Sequence, residues 1–151
     1  MNRILLISIL LSILPISEIR GAIPFALKNN INVINAFFIL SFFNILIVPF
    51  VFFFLDNLHK HFLKIKIYEK LFNKYIERIQ RKFEYKIGIS GYIALFFFVL
   101  MPLPATGAYT GTLIAWFFKM NRKYSFISIS LGVFSAGLIV TLISLGIFKM
   151  F

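Results

Sequence analysis

The chain has no cysteine, and among its 151 residues it has only two histidines, five carboxylates, one tryptophan and five prolines. Without cysteine there is no disulfide, no thiolate metal site and no cysteine nucleophile. The two histidines, His59 and His61, stand together beside a run of lysines, so an imidazole-based metal or acid–base centre is not expected and no cofactor is implied. Carboxylates are scarce enough for each position to count. Asp56, Glu69, Glu77 and Glu84 fall between residues 56 and 86, and Glu18 alone lies in an otherwise apolar stretch. The apolar stretches contain no Ser/His pair, no Asp dyad and no metal-ligand cluster, so an intramembrane enzyme is not expected either.

Apolar surface is what the chain has in plenty. Apolar residues make up 60% of it and mean hydropathy is +0.92, against about 45–50% apolar residues in a soluble domain. The expected solvent is therefore lipid. A net charge of +11 would suit a nucleic-acid binder, but nine of the 16 basic residues lie between Lys60 and Lys86, with Lys119, Arg122 and Lys123 forming a second group. Basic residues gathered beside apolar spans mark the cytoplasmic face of a membrane protein, and no nucleic-acid partner is expected.

Two stretches read as uninterrupted spans, Ile31 to Leu55 and Tyr124 to Phe148, each free of charge and long enough at about 1.5 Å per residue to cross a core of roughly 30 Å. In the second span Ser125, Ser128, Gly132 and Ser135 form a small-residue stripe that lets another helix approach. Between the spans, residues 56–86 contain neither Pro nor Gly, and Leu58, Phe62, Ile65, Tyr68, Phe72, Ile76, Ile79 and Phe83 recur every three or four residues. That pattern predicts a basic amphipathic helix lying along the cytoplasmic surface.

The remaining two apolar stretches are interrupted. Ile4 to Ile16 is 13 residues, about 20 Å of helix and too short to span. A break follows, running from Pro15 through Ser17, Glu18, Arg20 and Gly21 to Pro24. Ile87 to Met101 gives way to Pro102, Leu103, Pro104, Ala105, Thr106, Gly107, Ala108, Tyr109, Thr110 and Gly111, and then to Thr112–Phe118. Prolines that remove donors, glycines that permit positive φ and hydroxyls that bond locally suit a helix interrupted inside a membrane. Arg3 followed by an apolar run also has the look of a signal peptide, but no A-x-A-like cleavage site follows and the second half repeats the interruption, so the segment is read as part of the mature protein.

The expected fold is an all-α integral membrane protein in one membrane domain. Two inverted repeats, 1–55 and 87–151, each consist of a re-entrant broken-helix hairpin and one transmembrane helix, and the amphipathic connector 56–86 joins them. Re-entrance would set twelve basic residues on the cytoplasmic side against three, and full crossing eleven against four. Both satisfy the positive-inside rule.

Glu18 and Arg20 are the only charges between Arg3 and Lys28. Ionisable groups at membrane depth normally mark a pathway or relay. The alternative is that Arg20 satisfies free carbonyls at the break, with Glu18 as its neutralising partner. Residues two apart point away from each other in a continuous helix, so a direct pair requires unwound backbone. In the second break Thr106 or Gly107 should lie at the N-terminus of a half-helix, where unpaired N–H groups favour anions. Two facing broken helices are how many secondary transporters build a substrate site.

The run from Glu18 to Pro24 and the run from Pro102 to Gly111 together resemble the two signatures of the small multidrug export protein family, distantly grouped with the DedA superfamily. The resemblance covers nearly the whole chain, departing at Ala105, where Gly is common, and at Tyr109, where Trp is common. It implies a small transporter, and through DedA-type relatives it points toward lipids or lipid carriers. Those relatives place arginines in the second re-entrant motif, whereas no arginine lies between Lys86 and Lys119 here, so anionic-lipid transport is not simply carried over. The reading is a proton-coupled secondary transporter of the cytoplasmic membrane for a small-molecule or lipid-like substrate. Its candidate site is Glu18, Arg20, Gly21, Pro24, Pro102, Pro104, Thr106, Gly107, Tyr109 and Thr110. The alternative is a non-transporting membrane interaction or scaffold protein. Membrane lipids are the expected partners, and a homodimer formed through the small-residue faces would thicken the wall of a pathway.

Overall fold

In a computed structural model of the chain, the structure describes residues 2–62, 88–103 and 106–150. Among these residues all regular structure is helical: α1 Asn2–Ile13, α2 Glu18–Lys28, α3 Val33–Phe62, α4 Ile89–Leu100, α5 Ala108–Phe117 and α6 Arg122–Met150.

Two of the helices are long. α3 has 30 residues and α6 has 29, about 45 Å each, and within them Val33–Leu58 and Arg122–Gly146 are apolar enough to cross a membrane. One face of each is buried: Ala36, Leu40, Val48 and Phe52 on α3, and Ile129, Val133, Ala136 and Val140 on α6. Their other faces carry exposed Phe38, Phe42, Phe50, Phe53 and Phe54, and Leu131, Leu138 and Leu142. A core helix of a soluble protein would bury such side chains, whereas a helix in lipid has no reason to.

The short helices α2 and α5 are wedged among the others. α2 packs against α6 as well as α3, and α5 packs against α3 as well as α6, while α1 lies on α2 and α3, and α4 lies mainly on α6. Ala22, Ile23 and Ala26 make α2 one of the most buried parts of the molecule. In lipid the gain from this burial is close packing rather than exclusion of water. Close approach is what Gly132 provides: a Cβ there would lie 2.8 Å from the Val99 Cβ and 3.0 Å from the Phe96 carbonyl oxygen on α4. Of the expected small-residue stripe, Ser125 and Gly132 are buried, while Ser128 and Ser135 are only half-buried.

The turns that follow α2 and α5 match. Asn30 and Lys119 both have left-handed backbone, with φ of 60° and 50°. The next amide, of Ile31 or Met120, donates back to the carbonyl of Ala26 or Ala115, at 3.1 and 2.9 Å. Asn32 and Asn121 then accept N–H bonds at the starts of α3 and α6 through Oδ1. In every pair the two residues are 89 positions apart (Asn30 and Lys119, Ile31 and Met120, Ala26 and Ala115, Asn32 and Asn121).

Several expectations change. The first break is shorter than Pro15 to Pro24. Only 14–17 leave the helix, and Pro24 sits inside α2, where it removes the N–H that would have bonded the Arg20 carbonyl. In the second half α4 ends at Leu100 and α5 already begins at Ala108, so Tyr109, Thr110 and Gly111 are helical. Glycine does not provide left-handed backbone at these breaks: among the described residues no glycine has positive φ, and Glu18 does, at 44°. α3 also runs through Pro49 and past Asp56 to Phe62, because nothing between Val51 and Phe62 stops a helix. The remainder of the expected amphipathic connector lies outside the described residues.

Candidate functional site

The last carbonyls of a helix have no partner within it, so a helix end shielded from water needs donors from elsewhere in the chain. At the end of α1 those donors come from three elements. The Leu11 carbonyl accepts from the Ser17 hydroxyl of the break at 2.5 Å. The Ser12 carbonyl accepts from the Asn44 amide of α3 at 2.6 Å. The Ile13 carbonyl accepts from the Tyr109 hydroxyl of α5 at 2.5 Å.

At the end of α4 the donor is Arg20. Its Nη2 lies 3.3 Å from the Val99 carbonyl oxygen, 2.8 Å from that of Met101, 2.6 Å from that of Thr106 and 3.0 Å from the Thr106 hydroxyl. Nη1 reaches Glu18 Oε2 at 3.3 Å. A cation on a cluster of carbonyls at a helix C-terminus is the favourable pairing. The Glu18 carboxylate faces the opposite kind of helix end. Its Oε1 accepts from the Tyr109 N–H, in the first turn of α5, at 3.4 Å, and the side chain is 6% exposed. The acid and base of the first break thus complement the two helix ends of the second, the anion at an N-terminus and the cation at a C-terminus.

The direct Glu18–Arg20 contact depends on backbone geometry. Glu18 begins α2 with φ of 44°, a conformation that costs a non-glycine residue about 1–2 kcal/mol. Its side chain therefore leaves the helix in a direction that a regular helix would not allow. Gly107 completes the seat: a Cβ on it would coincide with the Glu18 carboxylate, so no larger residue can hold the N-cap of α5 while Glu18 is in place. Thr110 accepts from the Gly107 N–H at 3.0 Å, and the Thr106 hydroxyl can donate to the Met101 or Leu103 carbonyl at 2.7 or 2.9 Å.

Of the residues singled out from the sequence, Glu18, Arg20, Thr106, Gly107, Tyr109 and Thr110 therefore come together. Gly21 lies in the first turn of α2, where a Cβ would meet Ser17 Cβ at 2.9 Å. Pro24 is a turn further along α2, Pro102 is in the second break, and Pro104 lies outside the described residues. In the sequence Ser17 stands out only as a hydroxyl of the first break and Asn44 only as a polar residue within an apolar span, and neither position by itself shows which carbonyl it bonds. The carbonyl oxygens of Ile13, Val99 and Met101 carry no sequence signal.

A separate polar cluster lies where α3, α5 and α6 meet. Asp56 Oδ1 accepts from the Trp116 indole N–H at 3.0 Å, and its Oδ2 pairs with Arg122 Nη2 at 2.8 Å. Arg122 lies over the Phe52 ring at 5.8 Å. An amphipathic indole beside an ion pair at the end of apolar helices is what a membrane–water boundary favours.

Among the described residues, then, the protein is all-helical, with two helices long and apolar enough to cross a membrane and short helices between them whose neighbours' ends are closed by side chains from other elements. The chain belongs to the family described as putative small multi-drug export protein, which it matches over residues 18–139. That span runs from Glu18 through both helix ends of the site and into α6. No curated protein and no solved structure matches the chain. Family membership supports a role in membrane export or transport.

Proposed function

We propose that the chain is a proton-coupled secondary transporter of the cytoplasmic membrane, built as two inverted repeats whose broken helices face each other at membrane depth. Two relationships support the inverted arrangement: the matching turns 89 residues apart, and the reciprocal packing of α2 on α6 and α5 on α3. Each half places its short helix against the long helix of the other, as a two-fold axis through an interlocked pair requires.

The observation that carries the reading is the position of Glu18. It is a nearly fully buried carboxyl, held by a cation and by the N-terminal turn of a half-helix that belongs to the other half of the chain. Protonation would remove the negative charge that both partners contact and so loosen the link between α2 and α5. Deprotonation would restore it. One proton thereby biases two arrangements of the halves, which is what coupling needs. Arg20 has the accompanying structural part. Its terminal nitrogens are occupied by carbonyl oxygens and Glu18, so it holds the broken ends in register and is not free for a substrate.

Flux through purified protein in vesicles under an imposed pH gradient tests the proposal. The expected result is substrate movement that follows the gradient in the wild type. Absence of flux across a broad substrate screen would point instead to the non-transporting interaction protein.

A further inference from the structure

Between α1, α3 and α5 runs a groove of about 720 Å³, within the roughly 300–1,000 Å³ typical of small-molecule sites. Its walls are apolar, with Phe43, Ile47, Phe50 and Leu113 prominent among them, and its polar side chains are Tyr109 and Thr110. Phe50 is 77% exposed and Leu113 50%, so the groove opens sideways onto the surface that faces lipid.

Tyr109 joins this groove to the site already described. Its hydroxyl closes the end of α1 and its amide reaches Glu18, while its side chain lines the groove. The hydroxyl of Thr110 bonds the cap of the same half-helix. Both hydroxyl hydrogens are already donated, to the Ile13 and Gly107 carbonyls, so an occupant lying in the apolar trough would meet at its end two hydroxyl oxygens that can still accept a hydrogen bond.

We propose that this groove binds the transported molecule, and that the molecule is a single-chain amphiphile taken laterally from the bilayer. Its hydrocarbon body lies along Phe43, Ile47 and Phe50, and its polar end meets Tyr109 and Thr110. A docked helix satisfies its own backbone polar groups and a plain hydrocarbon has none, so neither would use the polar end. A molecule with one apolar body and one hydrogen-bonding end uses both. The proposal rests on the transport reading above and adds to it the site and the class of substrate.

The test uses the full chain in phospholipid vesicles and a long-chain alkyl alcohol carrying a photoactivatable diazirine in mid-chain. Adducts are mapped by mass spectrometry, and flux of the same probe is measured in parallel. Adducts are expected on the α3 and α5 walls of the groove and should be lost when excess unlabelled alcohol is added. They should also be lost in Leu113→Trp and in Leu46→Trp, two partly exposed lining positions where the indole fills the groove without burdening the core. Leu131→Trp, on the exposed face of α6, should leave them unchanged. Adducts spread evenly over all lipid-facing helices, adducts displaced by added phospholipid but not by the alcohol, or crosslinks joining two copies of the chain would each overturn the proposal. Groove adducts without flux would leave the binding site standing and defeat the transport reading, whereas flux without groove adducts would do the reverse.

Discussion

Arg20 and Tyr109 stand 89 residues apart and do the same work on opposite breaks. The guanidinium of Arg20, in α2, donates to the Met101 carbonyl beyond α4 at 2.8 Å, and the hydroxyl of Tyr109, in α5, donates to the Ile13 carbonyl ending α1 at 2.5 Å. Each short helix closes the broken end that belongs to the other half of the chain. The breaks are therefore structurally interdependent, and a change in one should be felt in the other.

Arg20→Ala removes the donor to three carbonyls and leaves Glu18 as a buried, unpaired charge. Losing one partner of such a pair typically costs about 3–5 kcal/mol, so the expected outcome is a large fall in thermal stability in detergent. Arg20→Lys keeps the charge but not the fork and should fall between the two. Arg20→Ala combined with Glu18→Gln should recover part of the loss. A single Arg20→Ala variant as stable as the wild type would remove the closing role assigned to this side chain.

Glu18→Gln preserves shape and hydrogen-bonding capacity but cannot release a proton. The variant is expected to insert and fold, and its flux should no longer respond to an imposed pH gradient. Unchanged pH dependence would reduce Glu18 to the counter-ion of Arg20.

Gly107→Ala should be among the most damaging small substitutions, because the new methyl group would occupy the place of the Glu18 carboxylate. Either the carboxylate leaves its seat or α5 shifts. A direct clash predicts rescue: adding Glu18→Ala should restore folding, as read by size-exclusion profile and melting temperature, without restoring proton-coupled flux. Equal damage in the single and double variants would show that the glycine is needed for another reason.

Tyr109→Phe deletes one hydroxyl and leaves the Ile13 carbonyl without its donor. An unsatisfied buried acceptor costs about 1–3 kcal/mol, and the expected readout is a corresponding drop in stability together with faster hydrogen exchange at the end of α1. Slower exchange, or none of the expected drop, would contradict the cross-closing of the two breaks.

If both broken hairpins are re-entrant, both termini lie outside and the basic connector lies inside. A reporter active only in the periplasm, fused after Phe151, should then be active, and its cytoplasmic counterpart silent. The opposite pattern would mean that the broken stretches cross fully.

Much of this protein was legible in the chain itself. The charge-free runs that became α3 and α6, the two apolar stretches too short to span, and the placement of prolines and glycines between their halves all follow from composition and length, because lipid tolerates only satisfied backbone and apolar side chains. Glu18 and Arg20 could be marked as significant from their scarcity alone. Their roles depended on the tertiary structure. Whether Arg20 would face a substrate or a set of carbonyls depends on where α4 ends in space. The lengths of the breaks, the left-handed backbone at Glu18 rather than at a glycine, and the seating of its carboxylate on Gly107 all depend on contacts between residues some 80 to 90 positions apart. Local propensity can show that a helix will be interrupted, but the donors that close its ends come from the other half of the chain, and only folding brings them there.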